Sequence, residues 1–145
     1  MTTKEEILEL EKQGTFVFHG SADKLDFLEP RQAYTWKNDV KTEDGEPAVF
    51  ASIYSDISIF MALINRENIK ATYRSGYGFE NNKLSFRFSK EVKDRLINLK
   101  GYLYIFNKSD FQQKNQAEYI SNKIVKPIKI LEINETFLPK NINYI

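Results

Sequence analysis

The chain contains one histidine, His19, at the end of a strand-like segment that opens into a glycine and a serine, in the sequence FVFHGS (16–21). A glutamate, Glu118, lies much later in the strand-like segment AEYIS (117–121), and a third segment, AVFAS (48–52), precedes an apolar run of helical spacing. Imidazole and carboxylate groups often transfer protons or stabilise developing charge in enzymes. Each segment also has an ordinary structural explanation: a hydrogen-bonded core histidine, a core strand and an outward-facing glutamate. Singly, these explanations prevail, so the functional argument depends on the three segments together.

Composition and motifs exclude several other chemistries. The chain has no cysteine, which excludes disulfides, thiolate catalysis and thiolate metal sites. One histidine without cysteine cannot form a zinc site of ordinary type. The sequence has no phosphate-binding loop and no Gly-x-Ser-x-Gly nucleophile elbow, and GYGF (76–79) is only a fragment of a dinucleotide fingerprint.

Length and charge set the broad class of the protein. The 145 residues, of which 41% are hydrophobic and 14% aromatic, predict a single folded domain over residues 1–145. With 21 basic and 20 acidic residues, the chain has no overall excess of positive charge for binding nucleic acid, although a local patch stays possible. The N-terminal segment has no apolar core typical of a signal peptide, and no run of about 18 apolar residues occurs. We therefore expect a cytoplasmic protein without a membrane partner.

The elements that position these residues can be predicted from periodicity and capping. The segment Thr3–Gly14 predicts a helix, with Thr3 and Glu6 as a capping box and Gly14 as its stop. Residues 15–19 predict a strand, and residues 20–46 a long, charged loop. In the other half of the chain the predicted elements are a strand at 47–52, a helix capped by Ser55, a hairpin with its turn at 77–82, a helix capped by Ser89 and ended by Gly101, and strands at 101–107, 117–121 and 126–133. About three helices and six or seven strands in mixed order predict an α+β fold with a split, largely antiparallel sheet.

In this order, the three segments resemble the ADP-ribosyltransferase superfamily, on the His-Tyr-Glu branch of poly(ADP-ribose) polymerases and rifamycin ADP-ribosyltransferases. The family's site begins with a strand that enters His-Gly-Ser or His-Gly-Thr, as FVFHGS does here. A strand of Gly-Ile-Tyr-Phe-Ala type follows, then a helix opened by Ser or Asp, as in PAVFAS and SDISIFMALI. A glutamate on a late strand closes the site, followed in polymerases by Tyr and Ile, as at 118–120. The resemblance is strongest over residues 16–65 and 101–131.

The resemblance implies an ADP-ribosyltransferase-like fold and NAD as the substrate, bound in a cleft between two parts of a split sheet. Cleavage of the nicotinamide–ribose bond builds positive charge on the ribose, as in glycoside hydrolysis. The family's pattern makes Glu118 the carboxylate that stabilises this charge and holds a ribose hydroxyl. His19 would hydrogen-bond the other ribose, Gly20 would let the backbone approach the carboxamide, and Ser21 would add a hydroxyl there.

One position departs from the family's pattern. The tyrosine that stacks on nicotinamide in the family corresponds to Val49, which cannot stack. Three nearby aromatic residues are candidates for that role: Phe50, Tyr54 and Tyr34. In the predicted loop, Arg31 and Trp36 are candidates for contacts with the pyrophosphate or the adenine.

Three functions follow from the resemblance. The first is transfer of ADP-ribose from NAD to an unknown acceptor, which could be a small molecule, a protein or a nucleic acid. The second is an NAD-dependent RNA 2′-phosphotransferase, a chemistry that depends on several arginines around phosphates. The chain has five scattered arginines and a neutral charge balance, which makes this function less favoured. The third is a degenerate domain that binds a nucleotide or a partner without catalysis, and Val49 favours it.

Overall fold

An antiparallel β-sheet dominates the computed structural model, which describes residues 1–145 with the exception of the Trp36 side chain. The helices are α1 (Thr3–Gln13), α2 (Ser55–Leu63), α3 (Arg66–Ile69) and α4 (Lys90–Lys93). The strands are β1 (Phe16–Ser21), β2 (Arg31–Lys37), β3 (Val40–Ser52), β4 (Ser75–Glu80), β5 (Lys83–Phe88), β6 (Gly101–Asn107), β7 (Gln112–Gln113), β8 (Glu118–Ser121), β9 (Lys129–Ile133) and β10 (Ile142–Tyr144). The predicted α+β class and mostly antiparallel sheet are confirmed. Within the described chain, no helix is long and apolar enough to cross a membrane.

The main sheet is open at one place. Its strand order is β7-β8-β3-β1-β6-β9, with β2 paired to β3, and a smaller sheet has the order β10-β5-β4. Strand β1 pairs with β6 along its whole length, from Phe16 opposite Asn107 to Ser21 opposite Tyr102. On its other side β1 is in register with β3 only at Phe18 opposite Ser52. The sheet therefore separates between β1 and β3 after a single pair.

Alternating side chains of the main sheet enter two cores. On one face, Phe18 is fully buried beneath α2, and the Ser58 hydroxyl of this helix donates a hydrogen bond to the Phe18 carbonyl at 2.7 Å. The same core holds Phe60 of α2, whose ring lies 5.1 Å from that of Phe86 in the smaller sheet. On the other face, Val17 belongs to a second core. Helix α2 is thus held between the two sheets, which explains why it is apolar almost all round.

The N-terminal helix begins where the sequence predicts, but its cap lies one residue earlier. The Thr2 hydroxyl accepts a hydrogen bond from the Glu5 amide at 3.1 Å, and the Glu5 carboxylate accepts one from the Thr2 amide at 3.3 Å. This pair is the capping box, so the predicted pair of Thr3 and Glu6 is wrong. Gly14 ends the helix as predicted, with a left-handed φ of 75° that glycine adopts without strain.

Ser55 does not cap α2, contrary to prediction. It is the first helical residue, and Tyr54 occupies the cap position without a side-chain hydrogen bond. The Glu11 carboxylate of α1 accepts the hydrogen bond from the Ser55 amide instead. A negative charge from a neighbouring helix therefore satisfies the N-terminus of α2.

The predicted loop at 20–46 is wrong over most of its length. Residues 31–52 form the long hairpin of β2 and β3, closed by Asn38 and Asp39 with left-handed φ values of 50° and 63°. Two consecutive left-handed residues are typical of the tight turn that matches the twist of antiparallel strands. Only the first part of the segment, which leads from β1 to this hairpin, lacks regular structure apart from an isolated bridge between Leu28 and Val125.

The second half of the chain follows the prediction more closely. The predicted hairpin forms as β4 and β5, but its turn consists of residues 81 and 82, and β4 covers most of the turn predicted at 77–82. The strands at 101–107 and 117–121 form as expected, whereas the strand predicted at 126–133 begins only at Lys129. The helix predicted after Ser89 is wrong beyond its first turn, since α4 ends at Lys93, and Gly101 begins β6 rather than ending a helix. In the described chain the totals are four helices and ten strands, against about three and six or seven expected.

Candidate active site

His19 lies at the place where the main sheet opens. It follows the single registered pair of β1 with β3, and its Nδ1 donates a hydrogen bond to the Phe50 carbonyl on β3 at 2.6 Å. Because a carbonyl can only accept, Nδ1 carries the proton and Nε2 of the neutral ring is an acceptor. The imidazole packs edge-on against Tyr104, with the ring centroids 5.8 Å apart. A strand, a carbonyl and an aromatic ring thus fix the orientation of this side chain.

Burial keeps His19 neutral. Desolvation lowers the pKa of His19 below its ordinary value of 6.5, the hydrogen bond to the Phe50 carbonyl opposes this effect, and the positive charge of Arg31 adds to it. At neutral pH the ring is therefore an uncharged group with one donor engaged and one acceptor.

The lowered pKa of His19 predicts a measurable pH dependence. Between the folded-state pKa of His19 and 6.5, the unfolded chain binds more protons than the folded chain does. The stability that neutral His19 contributes is therefore complete above pH 6.5, and it is lost as the pH falls through the folded-state pKa. His19 is the only histidine in the sequence, and we expect its imidazole proton resonances to titrate below pH 6.5 in the native protein. The matched control is the same titration in urea, where the midpoint should return to about 6.5. A native midpoint at or above this value would contradict the buried environment.

The opening exposes a cavity of about 600 Å³ on the face of the second core. Five of the predicted site residues line it: His19, Ser21, Arg31, Val49 and Phe50. Three carboxylates from the segment that follows β1 also line it: Asp23, Asp26 and Glu29. Half of the lining residues are apolar, Leu25 and Phe27 among them, so this cavity combines apolar and acidic groups. Among the described side chains that line it, Arg31 carries the one permanent positive charge.

A smaller cavity of about 300 Å³ lies on the α2 face of the sheet. Four of the predicted site residues line it: His19, Gly20, Phe50 and Glu118. The others include Met61 and Ser58 from α2 and Tyr77 from β4, none of which the sequence argument identified. Since His19 and Phe50 line both cavities, these two residues form the boundary between them.

Glu118 is held at the edge of the smaller cavity. It is the first residue of β8 and pairs in register with Ser52 of β3. Its side chain is 33% exposed, and the Lys114 Nζ lies 4.0 Å from Oε2, which makes an exposed ion pair of small energy. The pKa of Tyr77 is raised, mainly by burial and then by the charge of Glu118. A carboxylate and a protonated phenol therefore face the same mostly apolar cavity.

No family model, curated protein or solved structure matches this chain. The functional assignment therefore depends on the geometry of the two cavities and on the residues that line them.

Gly20 meets a packing requirement that the sequence argument did not foresee. A Cβ at this position would lie 1.8 Å from the Ser58 carbonyl oxygen and 2.9 Å from the Ala62 amide nitrogen. Glycine is thus needed for α2 to pack directly on β1. Gly20 also lines the smaller cavity, so its backbone stays available to a ligand there.

Two of the predicted aromatic candidates lie outside both cavities. Tyr34 is 48% exposed on β2, with the Lys41 Nζ 4.3 Å from its ring centroid. Tyr54 packs edge-on against Phe79 at 5.6 Å. Val49 is only 3% exposed and belongs to the second core. The contact expected of Trp36 lies outside the described residues.

The phenylalanine and tyrosine residues that do line the smaller cavity are Phe18, Phe50 and Tyr77. Phe50 was one of the predicted substitutes for the family's tyrosine. Tyr77 belongs to the segment GYGF, in which the sequence indicated only a fragment of a dinucleotide fingerprint and the start of a hairpin turn. Tyr77 alternates with Ser75 and Phe79 along β4, so these side chains lie on one face of the strand. That this face meets Glu118 depends on the contact between the two sheets.

The wall of the larger cavity is anchored to the sheet. The Tyr104 hydroxyl donates a hydrogen bond to the Asp23 carbonyl at 2.5 Å and accepts one from the Leu25 amide at 2.7 Å. Leu28 exchanges two backbone hydrogen bonds with Val125, at 2.9 and 3.0 Å. This segment is therefore held in place without regular secondary structure, and the cavity behind it is largely preformed.

Proposed function

We propose that this protein is an NAD-dependent ADP-ribosyltransferase-like enzyme, which cleaves the nicotinamide–ribose bond and transfers ADP-ribose to an acceptor. One observation carries the proposal. The sheet opens beside His19, and two cavities meet there at His19 and Phe50, with Glu118 at the edge of the smaller one. The same opening supports an ADP-ribosyltransferase-like fold, since the family binds NAD between two parts of a split sheet.

The shapes of the two cavities suit a ligand with two parts. Their volumes of about 600 and 300 Å³ lie in the range of small-molecule sites. The smaller cavity, with Phe50, Tyr77 and Met61, suits the flat nicotinamide ring. The larger cavity offers Ser21 and Arg31 and suits the adenosine and a phosphate oxygen of NAD. The carboxylates along its wall can accept hydrogen bonds from ribose hydroxyls.

Glu118 supplies the electrostatic part of the reaction. When the bond between ribose C1′ and nicotinamide breaks, its electron pair goes to the ring nitrogen and positive charge develops on the ribose. A fixed carboxylate stabilises this charge more in the transition state than in the ground state. The acceptor then forms its bond to C1′ and loses a proton. Water in the place of the acceptor would give hydrolysis.

His19 and Tyr77 would position the substrate. The Phe50 carbonyl holds Nδ1 of His19, so the neutral Nε2 can accept a hydrogen bond from a ribose hydroxyl. The raised pKa of Tyr77 keeps its hydroxyl protonated and able to donate. Holding the ribose between such groups lowers the entropic cost of reaching the transition state.

The test is NAD binding by calorimetry, followed by measurement of nicotinamide release in the same sample. We expect binding at or below about 1 mM NAD and slow release of nicotinamide. A His19→Ala variant should bind NAD more weakly because the ribose loses its acceptor. ADP-ribose is the comparison ligand for NAD in the binding measurement, because it keeps the adenosine of NAD and lacks the nicotinamide. Absence of binding at about 1 mM, or unchanged affinity in the variant, would overturn the assignment of the cleft.

A second candidate function has one observation in its favour. Val49 is buried in the second core, so β3 offers no aromatic ring at the family's stacking position. A domain that binds the nucleotide without cleaving it fits this observation. NAD binding without nicotinamide release would select this function. An RNA 2′-phosphotransferase is disfavoured because Arg31 is the only arginine among the described side chains that lines either cavity.

A further inference from the structure

A third concavity, of about 790 Å³, lies between α3 and the beginning of β4. Its lining comes from one short stretch of the chain, Arg66 together with residues 70–75. Among the described residues it shares no lining residue with the two cavities at His19. It is therefore a separate feature, and the proposed cleavage of NAD does not use it.

Three positive charges converge on this concavity: Arg66 on α3, Lys70 at the end of that helix, and Arg74 before β4. Among the described side chains, no carboxylate lies within 4.0 Å of their charged nitrogens. One nearby carboxylate, that of Glu91, is only weakly engaged: Arg74 is a minor cause of the lowered pKa of Glu91, after the hydrogen bonds of Glu91 to backbone and to Ser89. Like charges that converge without partners repel one another, so the arrangement favours an anion.

The backbone at Lys70 adds to this argument. Lys70 has a left-handed φ of 55° and closes α3 by donating its amide hydrogen to the Arg66 carbonyl at 3.1 Å. Glycine or asparagine usually occupies such a position because other side chains are strained there. A lysine at this position keeps a positive charge in the concavity at a conformational cost.

Neutral groups complete the lining. Thr72 and Ser75 provide hydroxyls, and Tyr73 is a partly buried aromatic ring. Burial raises the pKa of Tyr73 and the charge of Arg66 opposes this, which places Arg66 near the phenol. Positive charges along a groove, combined with an aromatic ring and hydroxyls, are typical of surfaces that bind the backbone of single-stranded nucleic acid.

We infer that this basic concavity binds the phosphate backbone of a single-stranded nucleic acid through Arg66, Lys70 and Arg74. The three charged residues come from a helix, from its end and from the segment before a strand, and all three line the concavity. Three separate positive charges can each contact one phosphodiester of a nucleic-acid strand, which carries one negative charge per phosphate. Ser75 and Tyr77 lie on the same face of β4, so the bound strand would pass close to the smaller cavity.

The experiment is fluorescence anisotropy of a labelled oligothymidylate at several salt concentrations, without NAD. Three phosphate contacts to a single strand predict a slope of about −2 for log K against log salt. Affinity should then fall about 20-fold between about 50 and about 200 mM salt. Because NAD is omitted, this experiment tests nucleic-acid binding separately from the proposed enzymatic function. Failure of that function would leave the anisotropy result unchanged.

The triple variant Arg66→Gln, Lys70→Gln, Arg74→Gln should lose at least about tenfold in affinity and most of the salt slope. The matched control has the same loss of charge at three exposed lysines that line no part of the concavity: Lys83→Gln, Lys126→Gln and Lys140→Gln. Circular dichroism checks the fold of both. If the triple variant does not fold, Arg74→Gln alone should reduce the magnitude of the salt slope by about 0.7.

Three results would overturn the inference. The first is no oligothymidylate binding by the native protein at low salt. The second is equal losses of affinity in the triple variant and its control, which would assign binding to overall charge. The third is displacement of the oligonucleotide by a phosphopeptide of equal charge at lower concentration, which would assign the site to a phosphorylated protein.

Discussion

A Glu118→Gln variant should bind NAD with nearly native affinity and release nicotinamide at least about 100-fold more slowly. The amide has the size of the carboxylate but no negative charge, so it cannot stabilise a positively charged ribose. The substitution should leave the fold intact because this side chain is one-third exposed and its ion pair with Lys114 is a weak surface contact.

Glu80→Gln is the matched control for this variant. Glu80 is an exposed carboxylate at the end of β4 and lines neither cavity at His19. Its removal changes the net charge by the same amount and should leave nicotinamide release unchanged. Full activity of the Glu118→Gln variant would remove this residue from the mechanism. Equal losses in both variants would point to a general effect of charge.

A Gly20→Ala variant should be destabilised by about 3 kcal/mol or more, since its Cβ would lie 1.8 Å from the Ser58 carbonyl oxygen. The obstacle is the backbone of α2, which cannot move aside as a flexible side chain can. Helix α2 would have to shift away from β1, and the core around Phe18 would loosen. For a chain of this length, the melting temperature should fall by about 10 °C, measurable by circular dichroism.

Gly78→Ala provides the matched control for the packing argument. Gly78 also lies in a strand, and the nearest atom to a Cβ there is Arg87 Nη1 at 3.9 Å, an ordinary contact. Stability should be unchanged or increased by up to about 1 kcal/mol, because alanine restricts the unfolded chain. A Gly20→Ala variant as stable as this control would show that α2 does not pack on β1 as described.

The sequence predicted elements best where burial imposed a clear pattern. The strand at 101–107 follows from its continuous apolar run, and β5 of the hairpin follows from the alternation of Leu84, Phe86 and Phe88. The hairpin of β2 and β3 was missed because most of it is exposed, so few of its residues had to be apolar. The capping box was misplaced because two successive threonines, Thr2 and Thr3, are each followed three residues later by a glutamate.

The lining of the candidate site could be predicted in part from the sequence. His19, Phe50 and Glu118 were selected from local motifs, and the structure brings them to one cavity. Tyr77 was missed because its approach to Glu118 depends on packing between two separate sheets, which no local pattern records. Gly20 was noticed for ligand access, whereas its contact with Ser58 could be found only once the position of α2 was known.

The single registered pair between β1 and β3 also determines which main-chain groups face the opening. Beyond Phe18 and Ser52, main-chain groups along the opening are not paired with the facing strand, and the Phe50 carbonyl that holds His19 is one of them. Polar main-chain groups need partners, so a ligand entering the opening can be recognised through amides and carbonyls. Recognition of this kind places little constraint on side-chain identity. Substitution of exposed side chains around the opening should therefore change the affinity for such a ligand less than a shift of β1 relative to β3 would.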